Sequence, residues 1–101
     1  MDFAYLENVV AGDRGVIAEI LQMYCEQAAL WQARLAGPDA AGPDADWRDV
    51  VHTIKGASRG IGAVALGDVC ERVEREGVAG VADVRAAVDV TVAAIRGYLG
   101  R

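Results

Sequence analysis

Residues 50–62 read VVHTIKGASRGIG and contain the only histidine in the chain. Val51 (with Val50), Ile54, Ser58 and Ile61 recur at helical spacing, so the stretch reads as a helix with one inward stripe. Two glycines, Gly56 and Gly60, interrupt its other side. A glycine inside a helix costs roughly 0.5–1 kcal/mol relative to alanine. Gly56 and Gly60 give up that stability on the outward face, where tight packing does not ask for it. Something on that face needs empty space.

Working outward, Asp46 is placed to cap this helix, with Trp47 joining the inward stripe and Asp49 near the positive helix start. Upstream, Asp2 caps a short helix in which Phe3, Leu6 and Val10 share a face, ending near Gly12. Asp13 then caps a long helix to about Ala36, whose apolar positions are Ile17, Leu21 (with Ile20), Tyr24, Ala28, Trp31 and Leu35. That three-then-four alternation suits packing in a bundle. Gly37-Pro38 stops it, and GPDAAGPDA over 37–45 reads as a flexible inter-helix linker. Downstream, IGAVALG turns the chain into a helix with Leu66, Val69, Cys70 and Val73 on one face, ended by Gly77. The last helix starts near Val81 and turns Val84, Val88, Val92 (or Thr91), Ile95 and Leu99 inward. VDVTV, 88–92, has strand-forming residues but no second strand to pair with, so tertiary packing should hold it helical. The expectation is an all-α fold, an up-down four-helix bundle with a short additional N-terminal helix, forming one domain over 1–101.

Alanine and valine dominate a chain of 101 residues with 53% hydrophobic residues, so small side chains must fill the core. A formal net charge of −5 argues against nucleic acid or an anionic membrane as partner. Cys25 and Cys70 have no metal-ligand spacing and read as two buried thiols. No signal sequence and no apolar run of membrane-spanning length is visible, so a cytoplasmic monomer is the expectation.

On this acidic background the outward stripe of the histidine helix is basic. Arg48, Lys55, Gly56 and Arg59 lie at offsets −4, +3, +4 and +7 from His52, all around one imidazole. A neutral imidazole is a good nucleophile, Gly56 leaves room for an approaching group, and Lys55 can place an ammonium beside an anion on the ring. Nucleophile, clearance and counter-charge together describe a phosphoryl acceptor. Singly, each feature is more often a solvated surface residue; their coincidence is what points to chemistry.

HTIKGASRGIGA, His52 to Ala63, resembles the signature of histidine-containing phosphotransfer (HPt) domains, H-x-[IL]-K-G followed by small residues and [IL]-G. The similarity extends to the long first bundle helix, the linker, DWRDVVH, LGDVCERVE and the final amphipathic helix, in the family's order. The resemblance implies that His52 is the phosphoacceptor, with Lys55 and Gly56 serving it. Family members often carry Gln or Glu facing the histidine from the next helix; Glu74 stands there and would accept a hydrogen bond from Nδ1–H, leaving Nε2 as nucleophile. Arg48, Arg59 and Gly60 are expected to help dock a receiver domain. The implied partners are response-regulator receiver domains and a hybrid histidine kinase. No cofactor is expected on this chain, the Mg²⁺ belonging to the receiver. With no nucleotide-binding loop in the sequence, the chain should be a phosphoryl carrier and not an enzyme. The alternative is a non-catalytic module that docks and sequesters a receiver domain, for which neither His52 nor Lys55 would be needed.

Overall fold

The computed structural model describes residues 1–36 and 46–100; the expected linker, 37–45, lies outside the described residues. Among them every regular element is helical: α1 (Phe3–Val9), α2 (Arg14–Ala36), α3 (Trp47–Gly60), α4 (Val64–Glu76), a single 3-10 turn (Val78–Gly80) and α5 (Val81–Leu99). Asp2 and Asp13 start α1 and α2 as expected, each offering Oδ1 to the backbone N–H three residues on, Tyr5 at 3.0 Å and Val16 at 3.1 Å.

Asp46 departs from the expectation. It stands at the cap position of α3 but makes no side-chain cap bond, and its carboxylate pairs with Arg34 in the last turn of α2. Its backbone, at φ −92° and ψ 22°, is not in the extended conformation of a capping residue, so the side chain is free for the charged donor instead. The two helices flanking the linker are thereby tied at that end.

The four long helices pack as a ring in which α2 meets α3 and α5, and α4 meets α3 and α5. Between α2 and α3 the cross-helix contacts, Arg34–Asp46 and Tyr24–Ser58, run in opposite order along the two helices; between α2 and α5, Gln32 bonds Arg85 and Asp89. The inward stripes read from the sequence are buried on α2 and α3, except Ile20, which is only partly covered. On α4 the buried set is Leu66, Gly67, Cys70 and Val73, with Val69 only partly covered. On α5, Thr91 is buried and Val92 half-buried. Thr91 can turn inward because its hydroxyl donates to the carbonyl of Ala87 at 2.8 Å, leaving only the methyl to pack.

Two polar features sit in this core. Tyr24 and Ser58 share a hydrogen bond of 2.8 Å across α2 and α3, and the Tyr24 ring meets Trp31 edge-on at 5.3 Å. Both cysteines are free thiols; Cys70 is buried, whereas Cys25, expected buried, is half-buried beside Arg96 at the α2–α5 seam. Between α3 and α4 the chain reverses at Gly62, whose φ of +88° favours glycine. The Gly62 carbonyl accepts the Asp2 N–H at 2.9 Å, which fastens the start of α1 to this turn.

Burial pushes the Cys70 thiol up to about 11 and the Tyr24 hydroxyl up to about 12, from ordinary values of 9.0 and 10.0. The folded chain therefore keeps protons that the unfolded chain would already have released. That contribution is intact below about pH 9 and is lost as pH rises through 11 to 12. Denaturant unfolding should accordingly show stability falling from pH 9 upward, with a shallower fall in Cys70→Ala; equal slopes in the two proteins would exclude the Cys70 contribution.

Candidate functional site

His52 leaves α3 on its outward side with its side chain 71% exposed. Gly56, one turn on, and Gly60, two turns on, are both open: a Cβ built on either would meet nothing within 4 Å. The ring therefore stands beside a bare strip of helix. Three clefts of about 310, 230 and 250 Å³ lie along α2, α4 and α5, and His52 lines none of them. The imidazole is a solvent-facing group.

The reversal at Gly62 lays α4 antiparallel to α3, so about ten residues back and twelve forward bring 52 and 74 to the same height, roughly 15–18 Å from the turn at 1.5 Å per residue. Glu74 Oε1 lies 3.5 Å from His52 Nδ1 and 3.0 Å from Lys55 Nζ. Lys55 directs its hydrogen bond to the other oxygen, Oε2, at 3.3 Å. Oε1 is buried and accepts no hydrogen bond. At 3.5 Å the imidazole contact is too long to count as one, and a small ring movement would close it. Lys55 is 18% exposed and Glu74 25%, so the pair lies largely under the surface on which the imidazole stands.

The other two cations of the stripe turn onto α4. Arg48 Nη1 donates to the backbone carbonyl of Glu74 at 2.9 Å, while its guanidinium lies 4.7 Å from the centroid of the Trp47 ring. A cation in the first turn of a helix faces that helix's positive end, which is unfavourable; here the antiparallel partner presents its carbonyl end at the same level. Arg59 reaches Asp68 at 3.4 Å and Glu71 at 3.0 Å. Its side chain lies flat over Gly67, where an added Cβ would come within 2.8 Å of Arg59 Cγ. The hydrogen bond from Arg59 holds the Glu71 carboxyl below its usual range.

The structure thus brings His52, Lys55, Gly56 and Glu74 together, with Gly60 exposed further along α3. Arg48 and Arg59, expected on the docking face, are both engaged with α4. The basic stripe read from the sequence is offset by the acids of that helix. Sequence reading missed the roles of Gly67, Asp68 and Glu71; the signal for them was the acidic register of LGDVCERVE set against α3 across a turn at 62. Among the described residues, no three His, Cys, Asp or Glu side chains gather so as to hold a metal ion, and no helix is long and apolar enough to cross a membrane.

The family model of the Hpt domain matches residues 19–98, from the second turn of α2 almost to the end of α5. No curated protein and no solved structure matches the chain. The matched stretch holds every residue of the site and leaves out α1.

Because nothing lies within 4 Å of a Cβ at either position, Gly56→Ala and Gly60→Ala should each stabilise the protein, by about 0.5–1 kcal/mol. Thermal or denaturant melts would show it. Destabilisation by either alanine would mean that the glycines serve the fold rather than the surface.

Proposed function

The chain belongs to the Hpt domain family, whose business is histidine phosphotransfer in two-component phosphorelays, and on that premise we propose that His52 is its phosphoacceptor. The observation that carries the assignment is an imidazole 71% exposed, with Nδ1 turned towards Glu74 and open space over Gly56 beside it. Nε2 is then the nitrogen that meets an incoming phosphoryl group. Its lone pair attacks phosphorus in line, the P–O bond of a receiver's aspartyl phosphate breaks, and the aspartate leaves as carboxylate. In the second half of the relay the phosphoryl group passes from Nε2 to the aspartate of another receiver domain. The Mg²⁺ that neutralises the acyl phosphate belongs to the receiver, and this chain carries no cofactor of its own.

Each neighbour has a task in this reading. Glu74 orients the ring by holding a hydrogen on Nδ1, which leaves Nε2 unprotonated. Lys55 supplies the positive charge nearest the phosphoryl oxygens. Gly56 admits them, and Gly60 keeps the helix surface low where a receiver docks. Arg48 and Arg59 act along the α3–α4 seam, fixing α4 and hence Glu74 at the height of His52. The protein works as a cytoplasmic monomer, with a hybrid histidine kinase as the source of its phosphoryl groups.

The decisive experiment incubates the protein with a panel of phosphorylated receiver domains and scores acid-labile phosphate. His52→Gln should abolish uptake and leave the melting curve unchanged, since the side chain is exposed; labelled His52→Gln would refute the assignment.

Three further variants probe the surroundings. A phosphoryl group brings a charge of roughly −1.5 to −2, by analogy with hydroxyl phosphates. Lys55→Ala should therefore weaken the phosphorylated state by about 1–2 kcal/mol, the scale of a charge-assisted contact at a partly exposed site. Gly56→Val should block transfer by crowding while the helix stays folded. In Glu74→Ala, nitrogen NMR should show the His52 tautomer balance shifted, and an unchanged ratio would remove Glu74 from the mechanism.

A further inference from the structure

The same carboxylate that orients His52 also occupies the cation that a phosphoryl group would need. Lys55 Nζ sits 3.0 and 3.3 Å from the two oxygens of Glu74. Arg48 is taken up by a backbone carbonyl and the Trp47 ring, and Arg59 by Asp68 and Glu71. A phosphoryl group on Nε2 therefore finds no uncommitted cation on the α3 stripe and must compete with Glu74 for Lys55. It also places a second negative charge beside an existing one.

Building on the phosphoacceptor reading, we infer that Glu74 makes the phosphorylated state of this protein short-lived, so that the chain passes the group on quickly instead of storing it. Two effects of one side chain act in the same direction. The first is repulsion, since the phosphoryl dianion and the carboxylate share a single ammonium. The second is the leaving group. Oε1, buried, without a hydrogen bond and 3.5 Å from Nδ1, is placed to accept from that nitrogen once a small ring movement closes the gap, and would then keep a hydrogen on it. When the P–Nε2 bond breaks, its electron pair returns to Nε2 and the ring departs as neutral imidazole. The phosphoryl group goes to a receiver carboxylate or to water, and the Nδ1 hydrogen stays where it was. Without that hydrogen the ring would have to leave as imidazolate, a much poorer leaving group.

A glutamine at this position keeps the shape but removes the charge, frees Lys55 for the phosphoryl oxygens and holds the Nδ1 hydrogen less firmly. With two charges against one at about 7 Å in near-aqueous surroundings, the expected change is roughly tenfold, the equivalent of about 1.4 kcal/mol.

The test uses the full chain and phosphoramidate, which gives its phosphoryl group to an imidazole nitrogen with loss of ammonia. After the donor is removed, phosphohistidine is followed by phosphorus NMR in wild type, Glu74→Gln and Glu74→Ala. The expected result is a phosphohistidine about tenfold longer-lived in Glu74→Gln, with the gap narrowing at 1 M salt as screening removes the repulsion. Lys55→Ala in the Glu74→Gln background should cancel much of the gain, because the freed ammonium is its source. Glu74→Ala, which has neither charge nor amide, should also outlast wild type. Lifetimes in both folded Glu74 variants equal to or shorter than wild type would overturn the inference and leave the phosphoacceptor reading standing. Failure of wild-type His52 to take any label would overturn both.

Discussion

At Gly62 the backbone takes a φ of +88°, and a Cβ there would lie 2.6 Å from the carbonyl oxygen of Asp2. No other residue fits that corner without moving the start of α1, which is bonded to the same turn. The reversal sets the register of α4 against α3, and everything around His52 follows from that register. Arg59 meets Asp68 and Glu71 near the turn; Lys55 and His52 meet Glu74 farther out; Arg48 meets the last turn of α4. A slip of one residue in the antiparallel pairing would rotate Glu74 by about 100° away from the imidazole. The site is therefore specified by a turn ten residues distant from its central residue.

The charges along this seam are arranged with a gradient. Close to the turn, Arg59 and its two acids form a surface cluster that costs little and contributes little. Farther out, Lys55 and Glu74 are mostly covered, so their attraction is less screened and their mutual commitment firmer. The imidazole stands above this covered pair with its reactive edge in water. Under the proposed phosphoacceptor role, a phosphoryl group arriving there would meet neither a ready-made anion hole nor a bare acid, but an ion pair that must rearrange. Such an arrangement would favour reversibility, since a carrier that bound its cargo in a preformed cationic cradle would be slow to give it up.

Much of this was legible in the sequence, for identifiable reasons. The three-four spacing on α2 named every buried residue of that helix, because a long amphipathic helix repeats its signal six times. His52, Lys55 and Gly56 were found together because they share one helix face, and helical periodicity alone places them. What failed involved choices between equivalent partners. Asp46 had both a cap and a nearby cation open to it, and the cation, Arg34, lies on another helix across the linker. Thr91 and Val92 lie side by side on α5, and hydropathy prefers valine; the bond from Thr91 to Ala87 reverses that preference. The stripe itself carries no carboxylate because its counter-charges lie on α4, nine to nineteen residues away. Pairwise contacts between helices depend on register, and register was not in the periodicity.

The inner face of α3 explains how so exposed a site keeps its geometry. Val50, Val51, Ile54 and Ser58 are buried on one side of the helix, and Tyr24 reaches across from α2 to hydrogen-bond Ser58. Leaving that Ser58 hydroxyl unpaired in the core would cost on the order of 1–3 kcal/mol, so the bond holds α3 in one rotational setting about its axis. His52 is six residues from Ser58, on the opposite side of the same rigid element, and inherits that setting. The helix can carry two stability-lowering glycines on its outer face because its inner face fixes it. With the imidazole 71% exposed, a surface that excludes water from the proposed reaction would have to come from a docking partner, and the bare strip at Gly56 and Gly60 is where such a surface could approach the ring.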